Sequence, residues 1–300
     1  MPKSSSVGKA YVRGAIGCAV SSAALYGIGR WLGIESTVKI ATGAQIAVYL
    51  LHGLPNKSEK FYDLSGSFTH LSVVLAALFQ RRMVRSPRQL FLAITSCLWM
   101  TRLGAFLYNR ILRDGRDSRF DKFKITWISF LSPWIIQALW VTLIQLPVVL
   151  ANSAEDPASE TDAVDYGSMA LWFFGFLIEA AADSEKYAFR NVPENKDKFI
   201  TTGLWRYSRH PNYFGEIVMW CAQAMIASNM ALKGGDSNLH ASWISPAFTA
   251  LLLLKVSGMP MVEKAGQKKW GKDPEYIHYV TRTSSLVPWF PAPLFSKKGK

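Results

Sequence analysis

The chain has 300 residues, half of them hydrophobic and only 18% charged, and carries a formal net charge of +13. With a mean hydropathy of +0.11, that balance excludes an ordinary soluble domain, whose water-facing surface needs more charge. The basic residues fall in short runs between long apolar stretches, not along one polar face, which excludes a nucleic-acid binder and describes apolar spans joined by basic loops.

A helix that crosses a bilayer needs about 20 mostly apolar residues. Such stretches fall, in chain order, at 12–32, 38–54, 66–80, 89–109, 125–151, 166–182, 212–232 and 241–259. The third is short enough to be re-entrant. The expectation is therefore an all-α protein, a polytopic membrane helical bundle with seven or eight transmembrane helices, forming one integral membrane domain over 1–300. Lys3, Lys9 and Arg13 precede the first stretch, which reads as a retained first span in preference to a cleaved signal. Cys18, Cys97 and Cys221 lie inside apolar stretches at no metal or disulfide spacing and read as small buried hydrophobes. No metal site is expected.

Loop charge gives sidedness. The stretch 152–165 carries Glu155, Asp156, Glu160, Asp162 and Asp165 and no base, whereas 183–210 carries Lys186, Arg190, Lys196, Lys198, Arg206 and Arg209. The first reads as lumenal or external and the second as cytosolic. Alternation breaks down earlier in the chain. Arg81, Arg82, Arg85 and Arg88 precede the fourth stretch and Arg110, Arg113, Arg116 and Arg119 follow it, and a single span cannot have both ends inside. Either a neighbour is re-entrant or one cluster is held for a reason other than topology. The chain closes on Lys297-Lys298-Gly299-Lys300, a dilysine pattern that reads as an endoplasmic-reticulum address on a cytosolic C-terminus.

Five segments could carry chemistry. In 203–216, Pro211 suits the first turn of a helix. Arg206, Arg209 and His210 then gather at that helix mouth, where free N–H groups and the helix dipole favour an anion. Asn212 and Glu216, four apart, share a face. In 179–190, Glu179, Asp183, Lys186 and Arg190 recur at helical spacing, and a carboxylate such as Glu179 at membrane depth is costly enough to suggest a function. In 61–67, Tyr62 can donate a proton and Asp63 can orient it. Arg102, inside an apolar run, wants an anionic partner. The tail from 263 to 282 reads as two short amphipathic helices around a turn at Gly271, and its Glu263 and Tyr279 are counted as candidate cofactor contacts. There is no Gly-x-Gly-x-x-Gly after a strand, no P-loop, no His-Glu-x-x-His and no Gly-x-Ser-x-Gly, so a nucleotide would be held by helix ends and loops.

The block Ser208-Arg209-His210-Pro211-Asn212-Tyr213-Phe214-Gly215-Glu216 resembles the signature of the DUF1295 family, in the steroid 5α-reductase-like membrane superfamily. The likeness extends to 183–190, to Tyr62-Asp63-Leu64-Ser65-Gly66-Ser67, to 113–120 and to 257–288, and covers 60–290. It implies an all-helical membrane enzyme with a nucleotide cofactor on its cytosolic side and an apolar substrate that enters between helices. In the reductases of that superfamily the cofactor is NADPH, which reduces a carbon–carbon double bond usually conjugated to a carbonyl. Position by position, the likeness implies that Asp183, Asn212, Glu216 and Arg282 belong to the cofactor site and that Arg209, His210 and Tyr213 border it. One departure stands out: the Arg-His-Pro form is closer to sterol reductases and to isoprenylcysteine carboxyl methyltransferases, which use S-adenosylmethionine on a similar scaffold.

Three readings follow. The first is a membrane reductase that reduces an enone of a steroid, sterol, terpenoid or other lipid-like molecule with NADPH. Tyr62, Asp63 and Glu179 are its candidate catalytic residues, and Arg206 to His210 with Lys186 to Arg190 meet the cofactor phosphates. The second is an S-adenosylmethionine-dependent methyltransferase of a lipidic substrate. The third is a non-enzymatic sterol-binding membrane protein, which leaves Glu179, Asp183 and Glu216 without a use. The expected partners are the membrane and a lipid-like small molecule; the sequence shows no obligate protein partner.

Overall fold

A computed structural model describes residues 4–80, 85–156 and 160–291. Arg81, Arg82 and the dilysine at 297–298 lie outside the described residues. Within them the fold is helical, and the only extended pairing is one bridge between Ser208 and Ser284. The helices are α1 (Ser4–Leu32), α2 (Glu35–Val48), α3 (Leu54–Asn56), α4 (Tyr62–Phe79), α5 (Pro87–Asp114), α6 (Trp127–Ile144), α7 (Leu146–Ser153), α8 (Ala163–Asn191), α9 (Pro211–Leu232), α10 (Ile244–Leu251), α11 (Met259–Trp270) and α12 (Pro274–Arg282). Their boundaries follow local chemistry. A capping box between Ser86 and Gln89, with Pro87 in the first turn, starts α5. Thr126 caps α6, Asp273 caps α12, and Pro211 opens α9 as expected.

Four described segments are long and apolar enough to cross a membrane: Ser6–Leu32, Pro87–Arg113, Trp127–Ile144 and Ser237–Trp270. The other expected spans do form helices, but α2, α4, α8 and α9 are shorter or more polar. Their polar side chains face inward: Gln45 of α2, Ser65, Thr69 and His70 of α4, Glu179 of α8 and Gln223 of α9 are all buried. The stretch expected as one span over 125–151 is two helices, because α6 ends at Gln145 and Pro147 opens α7. The stretch expected at 241–259 is a 3-10 turn, α10 and a π turn in succession.

The chain divides into two compact units, Met1–Asp165 with Ile226–Ser245, and Tyr166–Met225 with Pro246–Lys300. In the first, α1 and α2 pack along α6, and α4 packs on α2 and α5. Its core is aromatic around Tyr49, Phe130 and Trp134, with amide and hydroxyl groups threaded through it. Gln45 donates to Thr69 at 2.9 Å, and Gln145 donates to Ser96 at 2.6 Å and to His70 Nδ1 at 2.8 Å. Such bonds repay the burial of groups that hydrocarbon cannot solvate.

This unit also shows what Arg85 and Arg88 of the first arginine cluster bond to. Arg85 donates to the Leu78 carbonyl at 2.6 Å, closing the end of α4, and to the Asn152 carbonyl at 2.6 Å. Arg88 is fully buried; it pairs with Asp165 at 2.8 Å and Asp156 at 3.2 Å and donates to the Glu160 carbonyl at 2.6 Å. Asn229 and Lys233, at the C-terminal end of α9, join the same acidic loop: Asn229 donates to Asp165 at 2.9 Å and Lys233 meets Asp162 at 2.7 Å. Arg85 and Arg88 are therefore engaged by backbone carbonyls and carboxylates. Toward the other end of α5, roughly 33 Å from Arg88 at 1.5 Å per residue, Arg110 pairs with Asp63 at 3.1 Å.

Candidate functional site

In the second unit, α8 and α9 cross where two glycines meet. A Cβ on Gly215 would stand 2.5 Å from the Gly175 carbonyl and 2.7 Å from the Glu179 nitrogen. That approach buries Glu179, which is 3% exposed. Further along the pair, Asn212 donates to Asp183 at 3.1 Å. The matched small residues thus bring together three of the polar positions singled out above.

The chain returns from α8 to α9 through 192–210. Gly203 takes a left-handed φ of +59°, and a Cβ there would fall within 2.5 Å of the Glu185 carboxylate. That carboxylate accepts from the Leu204 N–H at 2.9 Å and fixes the turn Gly203–Arg206. The turn seats Trp205, which is buried with Ala182 and Ile200. Its indole donates to the Ala182 carbonyl at 3.0 Å, its own carbonyl accepts from the Tyr279 hydroxyl at 2.7 Å, and its ring lies 4.5 Å from the Lys186 ammonium. Residues 207–210 are strapped by the C-terminal segment: the Arg209 N–H donates to the Ser284 carbonyl at 2.8 Å, the Ser208 hydroxyl to Leu286 at 2.7 Å, and the Trp289 N–H to Tyr207 at 3.0 Å.

Helix α11 supplies Glu263, which meets Arg209 at 2.7 Å and accepts from His210 Nε2 at 3.3 Å. His210 is buried and stacks on Tyr213 with 4° between the rings. Desolvation holds its pKa down at about 4 despite Glu263, so the ring is neutral near pH 7. Burial likewise raises the Tyr279 phenol. Burial, and then Arg190, push Lys186 down to about 8.

These elements enclose a cavity of about 490 Å³ whose walls include Phe189, Phe199, Trp205, Trp270, Tyr276 and Tyr279. Lys186, Arg190, Lys196, Lys198, Arg209 and Lys269 line it, against the single carboxylate of Glu263. A second hollow of about 830 Å³ shares Phe189, Lys198, Phe199 and Tyr279 with it and adds Arg206 and Arg282. Arg206, expected beside Arg209 and His210 at one helix mouth, thus opens on a different hollow. Arg209 Nε, in the wall of the smaller cavity, and Asn212 Oδ1, on α9 outside its lining, are buried and bond to no group among the described residues. A phosphorylated nucleotide fits the lining of the smaller cavity, with cations and a guanidinium for phosphates and aromatic faces for rings.

A family model described as a protein of unknown function, DUF1295, matches residues 49–283. The chain belongs to the DUF1295 family. This DUF1295 protein is 28% identical over 164 residues to an uncharacterized protein of Schizosaccharomyces pombe, covering 46% of this chain and 47% of that one. It is 27% identical over 144 residues to 3-oxo-5-alpha-steroid 4-dehydrogenase 1 of Bos taurus, covering 48% of this chain and 52% of the other. The chain thus spans about half the length of the curated relatives it matches. No solved structure matches.

Within the DUF1295 protein the sequence-derived candidates separate. Lys186, Arg190, Arg209, His210, Glu263 and Tyr279 line the smaller cavity. Arg206 and Arg282 line the larger one, where Arg282 also bonds His278 at 3.0 Å. Glu179, Asp183, Asn212, Tyr213 and Glu216 belong to α8 and α9 of the same unit. Tyr62 and Asp63 belong to the other unit. There the Tyr62 hydroxyl donates to the Pro133 carbonyl at 3.1 Å, and Asp63 pairs with Arg110 and not with Tyr62. The sequence reading missed the aromatic frame, Trp205, Phe199 and Tyr276 above all. The spacing of Trp270, Tyr276 and Tyr279 around Gly271 was the one available signal, and it reads equally well as interfacial packing.

Proposed function

We propose that the protein is a membrane reductase that uses NADPH to reduce a carbon–carbon double bond, conjugated to a carbonyl, in a steroid, sterol, terpenoid or similar lipid. The observation that carries this reading is the smaller cavity, with six cations, one carboxylate and aromatic walls. NADPH brings a diphosphate and a ribose phosphate, whereas S-adenosylmethionine brings a sulfonium cation and no phosphate. Electrostatic complementarity therefore favours NADPH. The relation to a protein named as a 3-oxo-5-alpha-steroid 4-dehydrogenase points to the same chemistry.

On this reading Arg209, Arg190 and Lys186 hold the phosphates, and Arg206 and Arg282 stand in the second hollow, where Asp197, Asp273 and Glu275 offset their charge. Asn212 offers Oδ1 while Asp183 fixes its amide. Glu263 orients Arg209 and keeps His210 in place, with Tyr213 and Glu216 flanking them on α9. Glu179, Tyr62 and Asp63 are the candidates for polarising the substrate carbonyl and supplying the proton. Bound NADPH supplies the hydride. All eight apolar stretches serve as spans or re-entrant segments, with the basic loop and C-terminus in the cytosol and the protein resident in the endoplasmic reticulum.

Binding of NADPH and of S-adenosylmethionine to the detergent-purified protein tests the reading. We expect saturable NADPH binding, weakened about tenfold or more in Arg209→Ala, since a charge-assisted hydrogen bond contributes about 1.5–3 kcal/mol. Asn212→Ala weakens it as well. Binding of S-adenosylmethionine alone overturns the reductase in favour of the methyltransferase, and binding of neither favours a sterol-binding protein without catalysis.

A further inference from the structure

Four lysines line the smaller cavity, and one differs from the rest. Lys196, Lys198 and Lys269 are exposed, and Lys269 is already engaged with Asp197 at 2.9 Å and the Lys196 carbonyl at 3.1 Å. Lys186 is half-buried. Among the described residues its ammonium has the Trp205 face at 4.5 Å for company and no hydrogen bond or ion pair. The charges acting on it are Asp183 and Arg190 on its own helix and His210, with its partners Arg209 and Glu263, on the facing elements. Near pH 7, with His210 neutral, two cations and two carboxylates offset one another around it, and lost hydration is the larger cause of its lowered pKa.

A lysine so placed holds its proton weakly. Its value of about 8 leaves a sizeable share of free amine near neutrality, against about one part in a thousand for an ordinary lysine at pH 7.4. The free amine is a nucleophile, and the six cations that line the cavity against Glu263 concentrate anions there.

We propose that Lys186 is a covalent modification site for small phosphorylated aldehydes, which the cavity draws in by the phosphate and holds with the carbonyl at the amine. The Lys186 nitrogen lone pair attacks the carbonyl carbon and the nitrogen proton passes to the oxygen. The carbon–oxygen bond then breaks, the hydroxyl takes the second nitrogen proton and leaves as water, and a carbon–nitrogen double bond remains. No oxidant or reductant is consumed. Arg190 and Arg209 seat the phosphate, and the aromatic walls shelter the imine from water. The inference stands on the cavity itself and holds whichever cofactor the site takes.

Pyridoxal 5′-phosphate is the probe. The full-length chain in detergent is treated at pH 7.4, reduced with borohydride and mapped by mass spectrometry. We expect Lys186 to be labelled at least about tenfold more than Lys196, Lys198 or Lys269, in line with its larger free-amine share. Pyridoxal, which lacks the phosphate, should label Lys186 about tenfold less, the loss of one charge-assisted contact. Lys186→Arg keeps the charge and should remove that label while the folded fraction, read by gel filtration, stays the same. Equal labelling across the four lysines overturns the proposal. So does equal labelling by pyridoxal, or an unchanged label map in Lys186→Arg.

Discussion

His210 shows how burial sets the charge of a single residue. Its Nε2 faces Glu263, which by itself would raise the pKa. Desolvation outweighs that attraction, and the ring titrates at about 4 instead of 6.5. The unfolded chain therefore takes up a proton below about pH 6.5 that the folded chain refuses until about pH 4. The stability that His210 contributes is present above pH 6.5 and is lost as the pH falls through that window. Thermal melts at steps from pH 7 to pH 4 should show a decline that His210→Gln partly flattens. An identical decline in the variant would assign the effect to other groups. The neutral imidazole also leaves Arg209 as the fixed charge at the mouth of α9, which is why Arg209→Ala is expected to cost more nucleotide affinity than His210→Gln.

The crossing of α8 and α9 depends on having no side chain at Gly175 and Gly215. Gly215→Ala forces the helices apart or bends them, at a cost of about 1–3 kcal/mol. It should lower the melting temperature by a few degrees and weaken nucleotide binding, because the Asp183–Asn212 bond spans the same pair of helices. Gly167, also on α8, has nothing within 4 Å of an added Cβ. Gly167→Ala should therefore be neutral or slightly stabilising, by up to about 1 kcal/mol. If both substitutions behaved alike, close packing at Gly215 would not be what orders the site. The turn Gly203–Arg206 is built by similar means, with Glu185 filling the space a Cβ would need and holding Trp205 under Lys186.

For the whole molecule, the acidic loop and Arg88 bear on stability. Arg88 is sealed among Asp156, Asp165 and the Glu160 carbonyl. Arg88→Met leaves buried carboxylates without their cation and should cost about 3–5 kcal/mol. Adding Asp165→Asn should recover part of that loss, because one unpaired charge is removed. A denaturation series on the two variants checks both statements, and failure of the double variant to recover would separate the loss from charge burial. With Arg88 neutralised, the sidedness proposed above rests on the arginines near 110–119. Single cysteines placed at Glu155 and at Lys122, in a chain with Cys18, Cys97 and Cys221 replaced, should react with an impermeant maleimide from opposite sides of sealed vesicles. Labelling from one side overturns the assignment.

Composition and periodicity by themselves determined that the chain is helical and apolar enough to enter a membrane, and Pro211 where α9 begins; the capping box of α5 is a local signal of the same kind. Each is a local property: Ser86 with Gln89 and Pro211 act within one turn, and hydropathy sums over one segment. The assembly of the cavity is not local. Phe199 meets Trp270, Tyr276 and Tyr279 only after the chain has turned back across α11 and α12. Arg206 and Arg209, three apart in sequence, open on different hollows because the 3-10 turn and the strap at 284–289 separate them. Arg88 looked like a topology marker until its carboxylates, 68 and 77 residues away, were in place. Tertiary structure decided these points because burial and charge pairing are set by neighbours in space, and a one-dimensional pattern does not record them.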